Sequence, residues 1–150
     1  MKTLVIGAAI IDIIMKIKRL PKSGEDILCS ETVSAVGGCA YNVAGTLRGF
    51  GVDHDLFVPV GRGMYGDMIA GDLEKLGYQI LIREEESDNG YCLCLVEEDG
   101  ERTFITVKGA EGRFRPSWFE QLSQDAYDSI YVAGYQVCGT SGGGISDWMA

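Results

Sequence analysis

The sequence predicts an α/β fold, a mostly parallel sheet flanked by helices, with a small antiparallel β sheet set to one side. Three observations carry this. Strand-like apolar runs at residues 3–6, 56–61, 78–83 and 130–133 alternate with helical patterns, the spacing of βαβ units. Helical periodicity stands directly behind a glycine pair, with Ala40, Val43, Ala44 and Leu47 at i, i+3, i+4 and i+7. Further on, residues 91–97 and 102–108 flank Glu98-Asp99-Gly100-Glu101, a hairpin with an Asp-Gly turn and therefore local antiparallel pairing.

In chain order, residues 3–6 (TLVI) are a continuous apolar run ended by Gly7, as expected of a strand buried on both faces. The chain runs on extended through Ile10, Ile11 and Asp12. An aspartate there is either a turn residue or a functional carboxylate at the C-terminal edge of the sheet, where open α/β sheets bind ligands. We read it as functional because of the glycine pair that follows. Residues 13–17 and 27–36 form two more strands around the turn cluster Pro21-Lys22-Ser23-Gly24. Their mixed composition places them outside the main sheet, so segments 13–36 and 90–108 build a separate lid inserted in one domain spanning 1–150. The second helix carries Met68, Ile69, Leu73 and Leu76 on its apolar face and closes at Gly77, the position of a C-cap glycine. Pro116 suits the first turn of a helix with Trp118, Phe119 and Leu122 on one side. The run Gly139-Thr140-Ser141-Gly142-Gly143-Gly144 lacks the Gly-Lys-Ser/Thr ending of a phosphate loop. It reads as a flexible loop before a helix beginning near Ile145. The helical pattern reaches Ala150 with no closing signal, so a fragment is expected.

Composition bounds the function. With 46% hydrophobic and 23% charged residues, the 150-residue chain suits a soluble domain with one good core. A net charge of −9 and no clustered Lys or Arg argue against nucleic acid, while leaving room for an anionic substrate at a local cationic spot. The five cysteines are odd in number and hold no C-x-x-C pair, so they are neither a disulfide framework nor a zinc ribbon but reduced thiols of a cytoplasmic protein. The one histidine, His54, excludes most histidine-based catalysis and metal sites, and its polar Val52-Asp53-His54-Asp55 turn places it at the surface. No stretch approaches the roughly 20 apolar residues of a membrane span. Asp12 interrupts the one run resembling a signal peptide.

The stretch Val36-Gly37-Gly38-Cys39-Ala40-Tyr41-Asn42 is the candidate site. Glycines at a helix mouth let a ligand approach the backbone and leave N–H groups pointing outward. Asn42 adds an amide that donates and accepts. This suits a polar, hydroxyl-rich small molecule; the bland alternative is a plain strand-to-helix turn.

Together these pieces resemble the ribokinase family, the phosphofructokinase-B type of sugar and nucleoside kinases. The resemblance rests on Gly7 with Asp12, Pro21-x-x-Gly24-Glu25, Gly37-Gly38-x-x-x-Asn42-x-Ala44, Gly61-x-x-x-x-Gly66-Asp67, Asn89-Gly90 before the hairpin and Gly109-Ala110 after it. It covers all of this chain and about the first half of a family member. It implies that Asp12 accepts hydrogen bonds from substrate hydroxyls, that Gly37 and Gly38 offer backbone N–H groups, and that Asn42 clamps another hydroxyl. Cys92 and Cys94 would lie on the lid face that covers the substrate, and Tyr135 would contact it. The Gly61–Asp67 loop would support the site structurally.

The resemblance further implies an ATP-dependent kinase phosphorylating a hydroxymethyl group of a sugar or sugar derivative, with ATP and Mg²⁺ as cofactors. Separately, the lid's exposed edge and the apolar residues on its outer face, Ile13, Met15, Ile17, Leu93 and Leu95, predict pairing with a second lid into a homodimer. The family's Gly-Ala-Gly-Asp element, which carries the catalytic base, is absent from the chain. No catalytic residue is therefore expected within 1–150, and the segment alone should be inactive. Ile10 and Cys39 stand where ribokinases proper carry an asparagine and a lysine, which weakens recognition of ribose itself. A nucleoside (adenosine- or pseudouridine-like) kinase and a non-catalytic ligand-binding module remain alternatives. A dinucleotide-binding domain is disfavoured, since Ala9 and Asp12 stand where the Gly-x-Gly-x-x-Gly fingerprint needs its second and third glycines.

Overall fold

The computed structural model describes residues 1–138 and 142–150. The chain runs β1 (Lys2–Ile6), β2 (Ile10–Lys16), β3 (Glu31–Gly37), α1 (Cys39–Gly49), β4 (Asp53–Phe57), β5 (Pro59–Val60), α2 (Met64–Lys75), β6 (Ile82–Arg83), β7 (Tyr91–Val96), β8 (Arg102–Val107), β9 (Ser129–Val132), α3 (Gly134–Val137) and α4 (Gly142–Met149).

The core grows outward from β1, which pairs in parallel with β4 on one side and β9 on the other. Leu4, Val5 and Ile6 are wholly buried, and strand alternation sends them to opposite faces. Val5 joins Leu56, Ala40, Ala44, Ile69 and Leu73, the cluster beneath α1 and α2. Leu4 and Ile6 join Phe57, Ile82, Phe114, Phe119 and Ile145 on the other face. Both helices under the first cluster end in the same way. Gly51 (φ +67°) and Gly77 (φ +81°) take the left-handed conformation, and Val52 and Tyr78 donate back to the carbonyls of Leu47 and Leu73 at 3.0 and 2.9 Å.

A second sheet has the order β3-β2-β7-β8. Its two hairpin pairings are antiparallel, but β2 and β7 run parallel, with Asp12 opposite Cys92 and Ile14 opposite Cys94. The sheet is therefore mixed, where the sequence predicted an antiparallel one. β2 and β7 are the outgoing strands of two separate excursions, β3 and β8 the returning ones, so the two outgoing strands meet in the same direction.

Three side chains fasten this sheet to the core. The buried Asn89 accepts from Gly61 N at 2.6 Å and donates to the carbonyls of Ala9 and Pro59 at 3.2 and 3.0 Å. Asp88 accepts from the backbone N–H groups of Tyr65 and Gly66 at 3.1 and 2.6 Å, where the positive end of α2 favours a carboxylate. Buried Glu111 closes the foot of the β7–β8 hairpin by accepting from Gly90 N at 2.8 Å and Gly109 N at 2.9 Å.

Several expectations need correction. The strand predicted over 27–36 starts only at Glu31, and the one over 78–83 shrinks to Ile82–Arg83, because residues 78–81 pack against the core without a pairing partner. The strand predicted over 56–61 starts earlier, at Asp53, and breaks at Val58, with Pro59–Val60 leaving to pair with β6. Pro116–Gln121 is a 3₁₀ turn rather than an α-helix, although Trp118, Phe119 and Leu122 do face the core. Met68 is exposed, not on the buried face of α2. His54 is half-buried rather than a surface residue, its ring nitrogens 2.8 and 2.7 Å from Val52 O and the Tyr78 hydroxyl. Ile17 is buried, and Ile13, Met15, Leu93 and Leu95 are half-buried; the exposed large apolar residues of the second sheet are Val33, Phe104, Ile105 and Val107 on its edge strands. Helix α4 begins at Gly142, before the predicted Ile145, and residues 139–141 of the predicted loop lie outside the described residues.

Candidate functional site

A cleft of about 360 Å³ lies where the C-terminal ends of β1 and β9 meet the second sheet. That is within the ~300–1,000 Å³ of small-molecule sites, and at the edge where α/β sheets place ligands. Its floor comes from Ala8 and Gln136, its mouth from Gly38 and Cys39. One wall is the face of β7 and β8, with Cys92, Phe104, Thr106 and Lys108, and Tyr135 stands opposite on α3.

Each glycine of the pair is there for a physical reason. Gly38, the N-cap of α1, has φ +103°, and a Cβ on it would sit 2.5 Å from Ala8 O. Gly37 is pinched against Asp12, whose carboxylate fills the space where a Cβ would stand. The missing side chain at position 37 is thus what lets Asp12 fold back beside the helix mouth.

Strand alternation and register set the rest. Asp12 on β2, Cys92 and Cys94 on β7, and Thr106 and Phe104 on β8 share one face of the second sheet. The carboxylate of Asp12 and the two thiols all lie within 4.8 Å of one another, with the two sulfurs 3.8 Å apart. The Thr106 hydroxyl donates to Cys92 Sγ at 3.4 Å. Among the described residues Asp12 makes no hydrogen bond or ion pair, and burial holds its carboxyl above the ordinary carboxylate value. Burial, with the Cys92 thiol and the Asp12 charge beside it, pushes the Cys94 thiol up to about 12.

Of the predicted site residues, Gly38, Cys92 and Tyr135 line the cleft, and Asp12, Gly37 and Cys94 lie behind its wall in contact with that set. Asn42 does not line it. That residue is exposed one turn into α1 and borders a separate shallow hollow with Tyr41, Thr46 and Tyr78. Ile10 and Cys39, the two positions that depart from the ribokinase pattern, both line the cleft.

Among the lining residues that the sequence reading missed, four could meet a ligand with a ring or a polar group: Phe104, Thr106, Lys108 and Gln136. Phe104 and Thr106 alternate along β8 in register with Cys94 and Cys92, and Lys108 follows just beyond the strand, a signal present in the hairpin pattern. Gln136 lines the cleft, and its side-chain oxygen, buried beside Gly7, has no hydrogen-bond partner among the described residues.

Residues 1–142 match the pfkB family carbohydrate kinases, and the chain belongs to that family. It is 38% identical over 146 residues to an uncharacterized sugar kinase, YegV, of Escherichia coli (strain K12), covering 97% of this chain and 46% of that protein. To a ribokinase of Arabidopsis thaliana it is 28% identical over 134 residues, covering 87% of this chain and 35% of that one. The chain thus spans less than half the length of these curated relatives. Among solved structures, ribokinase from Giardia lamblia superposes with a TM-score of 0.77 at 25% identity, over 87% of this chain and 41% of that one. Arabidopsis thaliana ribokinase complexed with ribose and ATP gives 0.68 at 25% identity, over 87% and 44%. Within the described residues no helix is long and apolar enough to cross a membrane.

Proposed function

We propose that this chain forms the substrate side of an ATP-dependent kinase that phosphorylates a hydroxymethyl group of a sugar or sugar derivative. The observation that carries the reading is Asp12: a half-buried carboxylate, free of protein partners among the described residues, beside the glycine-lined mouth of α1 and the cleft. Such a carboxylate makes strong charge-assisted hydrogen bonds to hydroxyls. Gln136 accepts another from the floor, and Thr106 and the N–H groups at the mouth complete the polar set; Asn42, which borders a separate hollow, has no part in this reading of the cleft. Cys92 and Tyr135 cover the ligand from the sides, with Cys94 behind.

The residues present do not suit the phosphoryl donor. Among the described residues lining the cleft, Lys108 is the one cation, and both oxygens of Glu111 are already engaged by backbone N–H groups. ATP, Mg²⁺ and the catalytic base are assigned to sequence outside these 150 residues. Within the chain, substrate binding and orientation are the chemistry on offer.

The apolar character of Ile10, Cys39, Phe104 and Tyr135 favours a second reading, a nucleoside whose base stacks on the aromatic walls. An ATP-consumption screen of the full-length protein against sugars and nucleosides, with Mg²⁺, separates the two. Asp12→Ala is expected to raise KM at least tenfold or abolish turnover; unchanged kinetics refute the role given to Asp12. ATP binding without turnover of any hydroxylated substrate would widen the substrate class, and no ATP binding would leave a ligand-binding module. We also propose a homodimer through the second sheet, whose exposed edges otherwise invite aggregation; a monomer by light scattering refutes it.

A further inference from the structure

Cys92 in the cleft wall, with Asp12 and Cys94 behind it, forms a cluster of donor atoms whose joint capacity the substrate reading does not use. Cys92 and Cys94 are 6% and 8% exposed, and Asp12 is half-buried. The cysteines are two residues apart on β7 and Asp12 on β2 lies directly across from Cys92, so the strand register itself brings three donor atoms to one face. The space is made by a glycine, because a Cβ on Gly37 would overlap the Asp12 carboxylate. The described residues bring no cationic side chain into ion-pairing contact with Asp12.

We propose that Asp12, Cys92 and Cys94 form a binding site for a thiophilic divalent cation of the Zn²⁺ class. Two thiolates with one carboxylate is a borderline-soft donor set, which suits Zn²⁺ and discriminates against Mg²⁺ and Ca²⁺. The geometry agrees. A tetrahedral ion with Zn–S bonds of about 2.3 Å needs its sulfurs about 3.8 Å apart, and Cys92 Sγ and Cys94 Sγ are 3.8 Å apart. The third donor lies within the same 4.8 Å group, close enough to reach the ion by side-chain adjustment. Binding exchanges the two thiol protons, released to solvent, for two metal–sulfur bonds. Three protein ligands leave the fourth position to water or to a ligand in the cleft that Cys92 lines. Metal occupancy draws on the Asp12 carboxylate, so metal and a hydroxyl-bearing substrate compete for it. That last consequence alone rests on the proposed function.

The test is titration of the reduced protein with Co²⁺, followed by displacement with Zn²⁺. One equivalent of Co²⁺ is expected to give a thiolate-to-cobalt charge-transfer band and the visible bands of a tetrahedral ion, both bleached by Zn²⁺. Cys94→Ser and, as a substitution that keeps the side-chain shape, Asp12→Asn each remove one ligand. Both are expected to weaken Co²⁺ binding by more than the ~10–100-fold lost with a mere supporting contact. A Cys29→Ser, Cys138→Ser double variant, which removes two thiols outside the buried set, is expected to bind as the parent does. Absence of the charge-transfer band in the parent protein overturns the proposal whatever the variants do. So does a band that survives Asp12→Asn and Cys94→Ser unchanged, or one lost in the double variant. The readout needs no enzymatic activity, so failure of the kinase reading and failure of the metal site are seen separately.

Discussion

Asn89→Ala is expected to loosen the second sheet from the core, and the cost can be worked from three bonds. The amide accepts from Gly61 N and donates to Ala9 O and Pro59 O, and the residue is 3% exposed. A buried hydrogen bond contributes about 1 kcal/mol net, and a buried partner left unpaired costs ~1–3 kcal/mol. Three stranded groups, eased by water entering the small gap, give a loss of about 3 kcal/mol by that scale. With a urea dependence of about 2 kcal/mol per molar, the unfolding midpoint falls by about 1.5 M. Asn89→Asp keeps the acceptor for Gly61 and loses both donations, and it brings a buried carboxylate against two carbonyls; its loss should equal or exceed that of the alanine variant. Urea unfolding followed by circular dichroism measures both. A midpoint shift under about 0.3 M for Asn89→Ala, less than 1 kcal/mol on the same scale, would refute the argument that this amide is the clamp.

Three further outcomes follow from the geometry. Gly38→Ala meets both a left-handed backbone and the Ala8 carbonyl, so it should cost at least the ~1–2 kcal/mol of the conformation alone. Gly49→Ala, with nothing within 4 Å of a built Cβ, should be neutral or stabilising by up to about 1 kcal/mol; thermal melts that ranked the pair otherwise would contradict the steric account. Burial first, then the hydrogen bonds to Asp72 and Asp55, push the Tyr41 and Tyr127 hydroxyls up to about 12. Unfolded tyrosine ionises near 10, so the stability these two residues contribute is complete below pH 10 and lost as pH rises from there towards 12. Absorbance titration of the phenolates should show both ionising late, and Asp72→Asn and Asp55→Asn should each bring its partner only part of the way back, since burial remains. Glu25 is held down to about 2 by the Arg19 guanidinium and the Lys22 N–H. Its contribution is therefore present above the ordinary glutamate value of 4.5 and lost as pH falls towards 2, and Arg19→Gln should raise the carboxyl part of the way back in a carboxyl NMR titration, the Lys22 N–H bond remaining.

What the sequence made legible was whatever backbone geometry demands of a single position. A glycine pair after a strand and before a helical stripe left two readings, close approach of a ligand or a plain turn, and the structure shows close approach of the chain's own groups: a left-handed Gly38 under Ala8 O and a Gly37 yielding to Asp12. Gly77 was legible for the same reason, since a left-handed residue after an amphipathic helix is a stop. Strand parity was legible too, and it put Cys92 and Cys94 on one face. Illegible features were those fixed by contacts far apart in the chain. Asn89-Gly90 announces a turn to any local reading, yet the Asn89 amide is consumed by Ala9, 80 residues away, and by Pro59 and Gly61. Residues 78–81 have strand composition but find no edge to pair with, and only Ile82–Arg83 meet β5.

The site divides along the same line. Its glycine mouth is local, whereas its depth depends on Gly7, where a Cβ would stand 2.8 Å from both Ala133 and Ala40 and 3.5 Å from the Gln136 oxygen. Only because position 7 is bare can α1, the end of β9 and the Gln136 amide converge on one point. Asp12 is common to the proposed substrate site and the proposed metal site. On the sequence it is one polar residue in an apolar strand, and its meaning comes from a register that sets it across from Cys92 and against Gly37. A carboxylate placed there with no cation beside it among the described residues retains binding capacity for a ligand, and hydroxyl and metal are the two chemistries its neighbours equip it to accept.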